Sequence, residues 1–267
     1  MRFRIVESKQ NSRLKELRRA LAQPGRDGSS LAGIEGPNLL EEALRAGLCI
    51  PTVFVAQGTE HLLEGLALPA ETEALLLPRE LLESALATET PQPVAALVEP
   101  PTWSWSDVLG GSKKAAPLIV VLAGLQDPGN LGTILRSAEA FGAMGILSLP
   151  GTVSEWNPKA VRASAGSVFR LPLLAVSEKD CFARLRKANV KIWTTAVHGA
   201  EVADRIDMAG PVALLIGNEG NGVPQELAAQ ADGTVTIPYP GPVESLNAAA
   251  AASVLLYEAS RQRRSAR

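Results

Sequence analysis

Short apolar runs set between helical stretches constrain this chain more than any other feature. From Leu118 onward the runs are "LIVVLAGL", "GILSLP", "LPLLAV", "KIWTTAV", "VALLIG" and "TVTIP". Between and after them stand "GNLGTILRSAEAFG", "NPKAVRASAGS", "EKDCFARLRKAN", "PQELAAQA" and the long "SLNAAAAASVLLYEASRQRR". The apolar runs read as strands, and Val212-Ala213-Leu214-Leu215-Ile216 among them reads as a buried one. Strands alternating with helices pack as a parallel sheet covered by helices on both faces. Ligands in such sheets bind beyond the carboxyl ends of the strands, so the loops leaving these runs are the places to search for a site.

The first half alternates as well, on a smaller scale. "NSRLKELRRAL" is a helix with Asn11 or Ser12 as its cap. "SLAGIEG", "TVFVA" and "VAALVE" read as strands. "PNLLEEALRAG" is a helix started by Pro37 and stopped by Gly47, and "PRELLESAL" is another. The expected organisation is a small α/β unit over 1–100, a connection over 101–117, and a second α/β domain over 118–267. The connection, "PTWSWSDVLGGSKKAAP", is rich in Pro, Gly and Ser without a period. Its Trp103 and Trp105 are expected to dock onto one of the domains.

Several classes are excluded early. No apolar run is long enough to span a bilayer, and the N-terminus has the charges of a capped helix rather than the apolar core of a secretory signal. The two cysteines, Cys49 and Cys181, are far apart in sequence, and His61 and His198 are the only histidines, so no metal-ligand spacing exists. A cytoplasmic location is expected. Net charge is −2, but the charges are segregated. Arg2, Arg4, Lys9, Arg13, Lys15, Arg18, Arg19 and Arg26 stand against Glu7 and Glu16 at the start, residues 27–112 are acidic, and "SRQRRSAR" closes the chain. The basic ends are expected to touch a polyanion.

Three strand-end loops carry the candidate chemistry. "LLIGNEGNGVP" places Gly217, Gly220 and Gly222 directly after an apolar run. Such a turn lets something approach the backbone closely. It is not a phosphate loop, because Val223 and Pro224 stand where lysine and a hydroxyl residue would be required. It is not a dinucleotide fingerprint either, because Gln225 replaces the third glycine. In "LQDPGNLGTILRSAEAFG", Leu131, Ile134, Ala138 and Phe141 form a core-facing stripe, and Arg136 lies on the opposite side near Asn130. In "IPYPGPVESLNAAAAASVLLYE", the helix is expected to begin near Ser245, which reads as its cap, with Asn247 in the first turn before an alanine run.

Together these stretches resemble the SpoU (TrmH-type) RNA ribose methyltransferases of the SPOUT superfamily. The family's N-x-G-x-x-x-R-x-A pattern is met by Asn130, Gly132, Arg136 and Ala138. Its glycine-rich loop is met by Gly217, Asn218, Glu219, Gly220 and Gly222. Its I-P-M-x-G-x-x-x-S-L-N pattern is met by Ile237, Pro238, Gly241, Ser245, Leu246 and Asn247, with Tyr239 in place of the methionine. The match spans roughly residues 118–260. "SKQNSRLKELRRAL" and "GIEGPNLLEEALRAG" look like the family's small N-terminal substrate-binding domain.

The resemblance implies a trefoil-knotted parallel-sheet methyltransferase domain, a small α/β RNA-binding domain before it, and a homodimer. It implies S-adenosylmethionine as cofactor, held by Thr195, Ala196, Gly217, Asn218, Gly220, Ile237, Leu246 and Asn247. It implies methyl transfer to a ribose 2′-hydroxyl of RNA, ribosomal RNA before transfer RNA, with Arg136, Asn130, Glu219, Ser245 and Asn247 in catalytic roles. Arg136 is expected to stabilise the developing alkoxide or grip a phosphate, since a guanidinium is a poor base. The alternatives are a transfer-RNA 2′-O-methyltransferase, a nucleotide-binding enzyme of ordinary doubly wound topology, and an RNA-binding protein with a decayed methyltransferase domain.

Overall fold

The computed structural model describes residues 3–22, 31–86, 88–111, 115–197 and 201–265. Arg2, Arg26, His198 and residues 112–114 of the expected connection lie outside these. The chain packs as two compact units, Met1–Thr102 with Ser154–Arg170, and Trp103–Val153 with Leu171–Arg267.

The first unit holds β1 (Phe3–Ile5), α1 (Ser12–Ala22), β2 (Ala32–Glu35), α2 (Pro37–Arg45), β3 (Thr52–Ala56), β4 (Glu73–Leu77), α3 (Arg79–Glu83) and β5 (Val94–Val98). Its mixed sheet runs β1-β4-β3-β5-β2. Asn11 caps α1, its side-chain oxygen accepting from the N–H groups of Arg13 (3.0 Å) and Leu14 (3.2 Å). Leu14, Leu17 and Leu21 of α1 are buried, the spacing that a helix needs to cover a sheet. Gly36 precedes α2 at φ 103°, where only glycine sits without strain, and Pro37 opens the helix as expected. Glu35 is buried at the end of β2, and its carboxylate is satisfied by the Thr88 hydroxyl (2.7 Å) and the Gln92 N–H (2.8 Å).

The second unit begins with α4 (Trp105–Val108), β6 (Leu118–Ala123), α5 (Pro128–Ala140) and β7 (Gly145–Ser148). The chain then supplies α6 (Pro158–Ser164) to the first unit. It continues in the second with β8 (Leu173–Ala175), α7 (Glu178–Lys187), β9 (Lys191–Thr195), β10 (Glu201–Val202), β11 (Val212–Gly217), α8 (Gln225–Ala228), β12 (Gly233–Thr236) and α9 (Ala248–Ser265). The sheet order is β10-β12-β9-β11-β6-β7-β8, and every pairing is parallel. Central β6 and β11 are buried at every residue, which is why their sequences show no polar alternation. One face carries a core of Ile119, Val121, Leu147, Cys181, Phe182, Leu185 and Leu215. Burial pushes the Cys181 thiol up to about 12. Trp105 packs against this core with the Arg184 guanidinium 5.1 Å above its ring, so this tryptophan docks as expected.

Packing departs from the boundaries expected from sequence in one segment. Residues 154–170 lie within the expected second domain yet fold with the first unit. There α6 packs against β2, the strand at the end of the sheet. Trp156 stacks on Phe169 at 6.0 Å, and Arg170 pairs with Glu42 at 2.6 Å.

Candidate active site

Because the strands of the second sheet are parallel, the loops after Thr195, Gly217, Thr236 and Ala123 all leave from one edge, side by side. The loop after β11 doubles back on itself. Asn218 and Gly222 exchange two backbone hydrogen bonds, each 2.9 Å. A side chain at Gly217 would run into the backbone of Gly222, and Gly222 itself sits at φ 66°. These two glycines therefore permit the fold-back and leave backbone as the loop's inner surface. Asn218 shapes the turn, accepting from the Gly220 N–H (2.9 Å) and donating to the Gly124 carbonyl (2.9 Å).

Glu219 joins two of the loops. Its carboxylate accepts from the N–H groups of Gln126 (3.2 Å) and Asp127 (3.0 Å) and from the Asn130 side-chain amide (3.0 Å). Burial works against its ionisation, but the bonds from Asn130 and these backbone groups outweigh burial and hold the carboxyl below its ordinary value. Asn130 stands in the first turn of α5, where Asp127 is the cap and accepts from the Asn130 N–H (2.8 Å). The Asn130 side-chain oxygen accepts in turn from the Asn247 amide (3.0 Å). A continuous chain of hydrogen bonds thus runs from Asn247 through Asn130 and Glu219 to the backbone at 126–127.

The cap assignment of α9 needs correction. The helix begins at Ala248, and Asn247, not Ser245, caps it by accepting from the N–H groups of Ala249 (2.9 Å) and Ala250 (3.2 Å). An asparagine can do both jobs, because its oxygen faces the helix while its amide reaches Asn130. Ser245 is exposed, two residues before the cap.

These loops enclose a cavity of about 590 Å³, a size that suits a small-molecule ligand. All eight residues expected to bind cofactor line it: Thr195, Ala196, Gly217, Asn218, Gly220, Ile237, Leu246 and Asn247. Glu219 and Ser245 also line it, whereas Asn130 and Arg136 do not. Arg136 is exposed on α5, away from buried Leu131, Ile134, Leu135 and Ala138, and makes no ion pair or hydrogen bond with a described residue. Sequence reasoning missed Ala251 and Leu255 of α9, which form part of the wall. Their four-residue spacing marks one helix face, but an alanine-rich helix does not show which of its faces meets a cavity. From Ile237 to Leu246, no backbone–backbone hydrogen bond to a described residue is made. Among the described residues no cluster of His, Cys, Asp or Glu could hold a metal ion, and no helix is long and apolar enough to cross a membrane.

The chain matches the SpoU rRNA methylase family over residues 117–257 and the MRM3-like substrate binding domain over residues 11–96. It is 30% identical over 256 residues to the 23S rRNA (guanosine(2553)-2′-O)-methyltransferase RlmP of Bacillus subtilis, covering 94% of this chain and 97% of that protein. The crystal structure of the SpoU methyltransferase AviRb from Streptomyces viridochromogenes in complex with AdoMet superposes with a TM-score of 0.82 at 30% identity, covering 97% of this chain and 100% of that one. The AdoMet-bound rRNA methyltransferase from Sinorhizobium meliloti gives 0.82 at 31% identity, covering 97% and 98%.

Proposed function

The chain belongs to the SpoU rRNA methylase family, and from that membership we propose that it transfers a methyl group from S-adenosylmethionine to a ribose 2′-hydroxyl of ribosomal RNA. The observation that carries the reading is the cavity itself. It is walled by backbone, glycine and aliphatic groups together with polar side chains such as Thr195, Asn218 and Asn247, mostly from the loops that match the family's motifs, and among the described residues Glu219 is its one charged side chain and no lysine lines it. That lining fits an adenosine moiety with a sulfonium and an amino-acid tail. It does not fit a nucleotide triphosphate, which weakens the doubly wound alternative.

S-adenosylmethionine, when bound, supplies a methyl group already activated by positive sulfur. The remaining work falls to the chain's own groups. Backbone at Gly217, Ile237 and Leu246 would hold the adenine and ribose. Asn247, Asn130 and Glu219 keep the three loops in register, so they are better described as bracing than as proton carriers. Ser245, exposed at the cavity wall, would orient the incoming ribose. Arg136 brings a guanidinium with no partner among the described residues, on the helix that Asn130 anchors and about 9 Å further along its axis. It would meet the developing alkoxide or the neighbouring phosphate.

The same reading supports two broader features. Val254 and Tyr257 are 44% and 50% exposed on α9, and α9 lies against α5; an apolar face of this kind supports a homodimer built through these helices. The packing of α9 on both α5 and β11 is compatible with the knotted threading that the resemblance implies. A ribosomal substrate supports a cytoplasmic location. The test is methyl transfer from labelled S-adenosylmethionine to ribosomal RNA, with 2′-O-methyl mapping of the product, comparing wild type with Arg136→Ala. Incorporation that maps to a base or to transfer RNA alone, or no incorporation at all, would refute it.

A further inference from the structure

The loop between β12 and α9 carries cavity-lining groups, yet little within it holds it in shape. Pro238, Pro240 and Pro242 have no N–H to donate, and the residues from Ile237 to Leu246 make no backbone–backbone hydrogen bond to a described residue. One hydrogen bond crosses the loop among the described residues. The Tyr239 hydroxyl donates to the Glu244 carbonyl at 3.1 Å. This bond closes a ring over Pro240, Gly241, Pro242 and Val243 and ends at the carbonyl immediately before Ser245. The half-buried Tyr239 side chain also lines the cavity together with Ser245 and Leu246.

We propose that Tyr239 is a positioning residue: its hydroxyl latches the Glu244 carbonyl and so presets Ser245 and Leu246 at the cavity before any ligand arrives. The physical need follows from the sequence of the loop. Alternate prolines remove the donors with which a turn would zip itself, and Gly241 between them is a free joint. A loop left loose would be ordered by the ligand, at a cost taken from affinity. The phenol supplies the donor that the backbone lacks. Phenylalanine or methionine fills comparable space but has no donor to offer.

The proposal rests on the reading that this cavity holds S-adenosylmethionine, so one arm of the test does without it. In the full-length ligand-free protein, Tyr239→Phe is expected to speed hydrogen exchange at the amides of Val243 to Asn247, read on the millisecond-to-second scale. The S-adenosylmethionine Kd, read by calorimetry, should rise about three- to tenfold, the effect of one lost hydrogen bond. The Tm should not move. Tyr239→Met should behave like Tyr239→Phe. Unchanged exchange in the ligand-free Phe variant would overturn the latch whatever Kd does, since the hydroxyl would then act on the ligand directly or not at all. Wild-type behaviour of Tyr239→Met would overturn it too, because bulk rather than the donor would matter. A wild-type protein that binds no S-adenosylmethionine would defeat the functional reading, while the exchange arm would still decide the latch.

Discussion

Arg136 and Glu219 show how differently two charged residues of one site are held. Arg136 is exposed and unpaired among the described residues, so Arg136→Ala should cost at most about 1 kcal/mol of stability. Cofactor affinity should survive, because the cavity wall comes from other loops. Methyl transfer should fall by roughly 100-fold, the scale of losing one group that stabilises an oxyanion. Arg136→Lys separates two roles: partial recovery of kcat means that charge suffices, and little recovery means that the planar two-point grip is needed. Glu219 is instead tied by three donors. Its carboxyl titrates below the ordinary value in the fold, so its bracing is fully present above about pH 4.3, the unfolded value. The bracing is lost as pH falls through the lower folded value. Cofactor affinity should therefore show no Glu219-linked change between about pH 5 and 8 and should collapse only in acid. Glu219→Gln keeps the shape but sets an amide hydrogen against backbone donors; calorimetry at neutral pH should show affinity weakened by about tenfold, the effect of a lost hydrogen bond to a charged group.

Among the elements, the pair α5 and α9 is matched along its length. Asn247 meets Asn130, Ser253 shares a hydrogen bond with Ser137 at 2.7 Å, and Tyr257 meets Phe141 edge-on at 5.7 Å. Contacts advancing in the same sense along both sequences mean that the helices run side by side in one direction. The alanines at 249 and 252 are buried and let α9 pack closely. Helix α1 is read differently once its partners are known. Arg13 is engaged by Glu16 (2.9 Å) and Glu73 (3.3 Å), and Arg18 by the Ser84 hydroxyl (3.0 Å). Lys15 and Arg19, one turn apart, are exposed without a partner among the described residues. Of the four basic residues, these two are the ones available to RNA phosphate. Lys15→Gln with Arg19→Gln should weaken RNA binding across a salt series and reduce the slope of log K against log[salt] by about 1–2. Arg13→Gln should lower stability and leave that slope nearly unchanged. Equal effects from both variants would count against this division.

For the whole molecule, the proposed dimer has a direct test. Val254→Glu with Tyr257→Glu should convert a species of twice the 28.1 kDa protomer mass into one of that mass, as read by light scattering at micromolar concentration. A wild-type protein that already runs as an active monomer would defeat the dimer. What the sequence by itself determined is the class of fold and the address of the site. Apolar runs such as those of β6 and β11, alternating with helical stretches, read as parallel strands covered on both faces, and the three motif loops follow such runs and so share one edge of that sheet. Tertiary structure decided what those residues do to one another. Glu219 reaches Asn130 across 89 positions and Asn130 meets Asn247 across 117. Bonds at such separations leave no period in a sequence. The same holds for residues 154–170, whose helical pattern is plain but whose partner, an edge strand more than a hundred residues earlier, is not. It holds also for the cations of α1, since only folding shows which of them an acidic neighbour has already taken. Periodicity reports the environment of each residue one element at a time, whereas a site is made of contacts between elements, and those exist only after the chain has closed on itself.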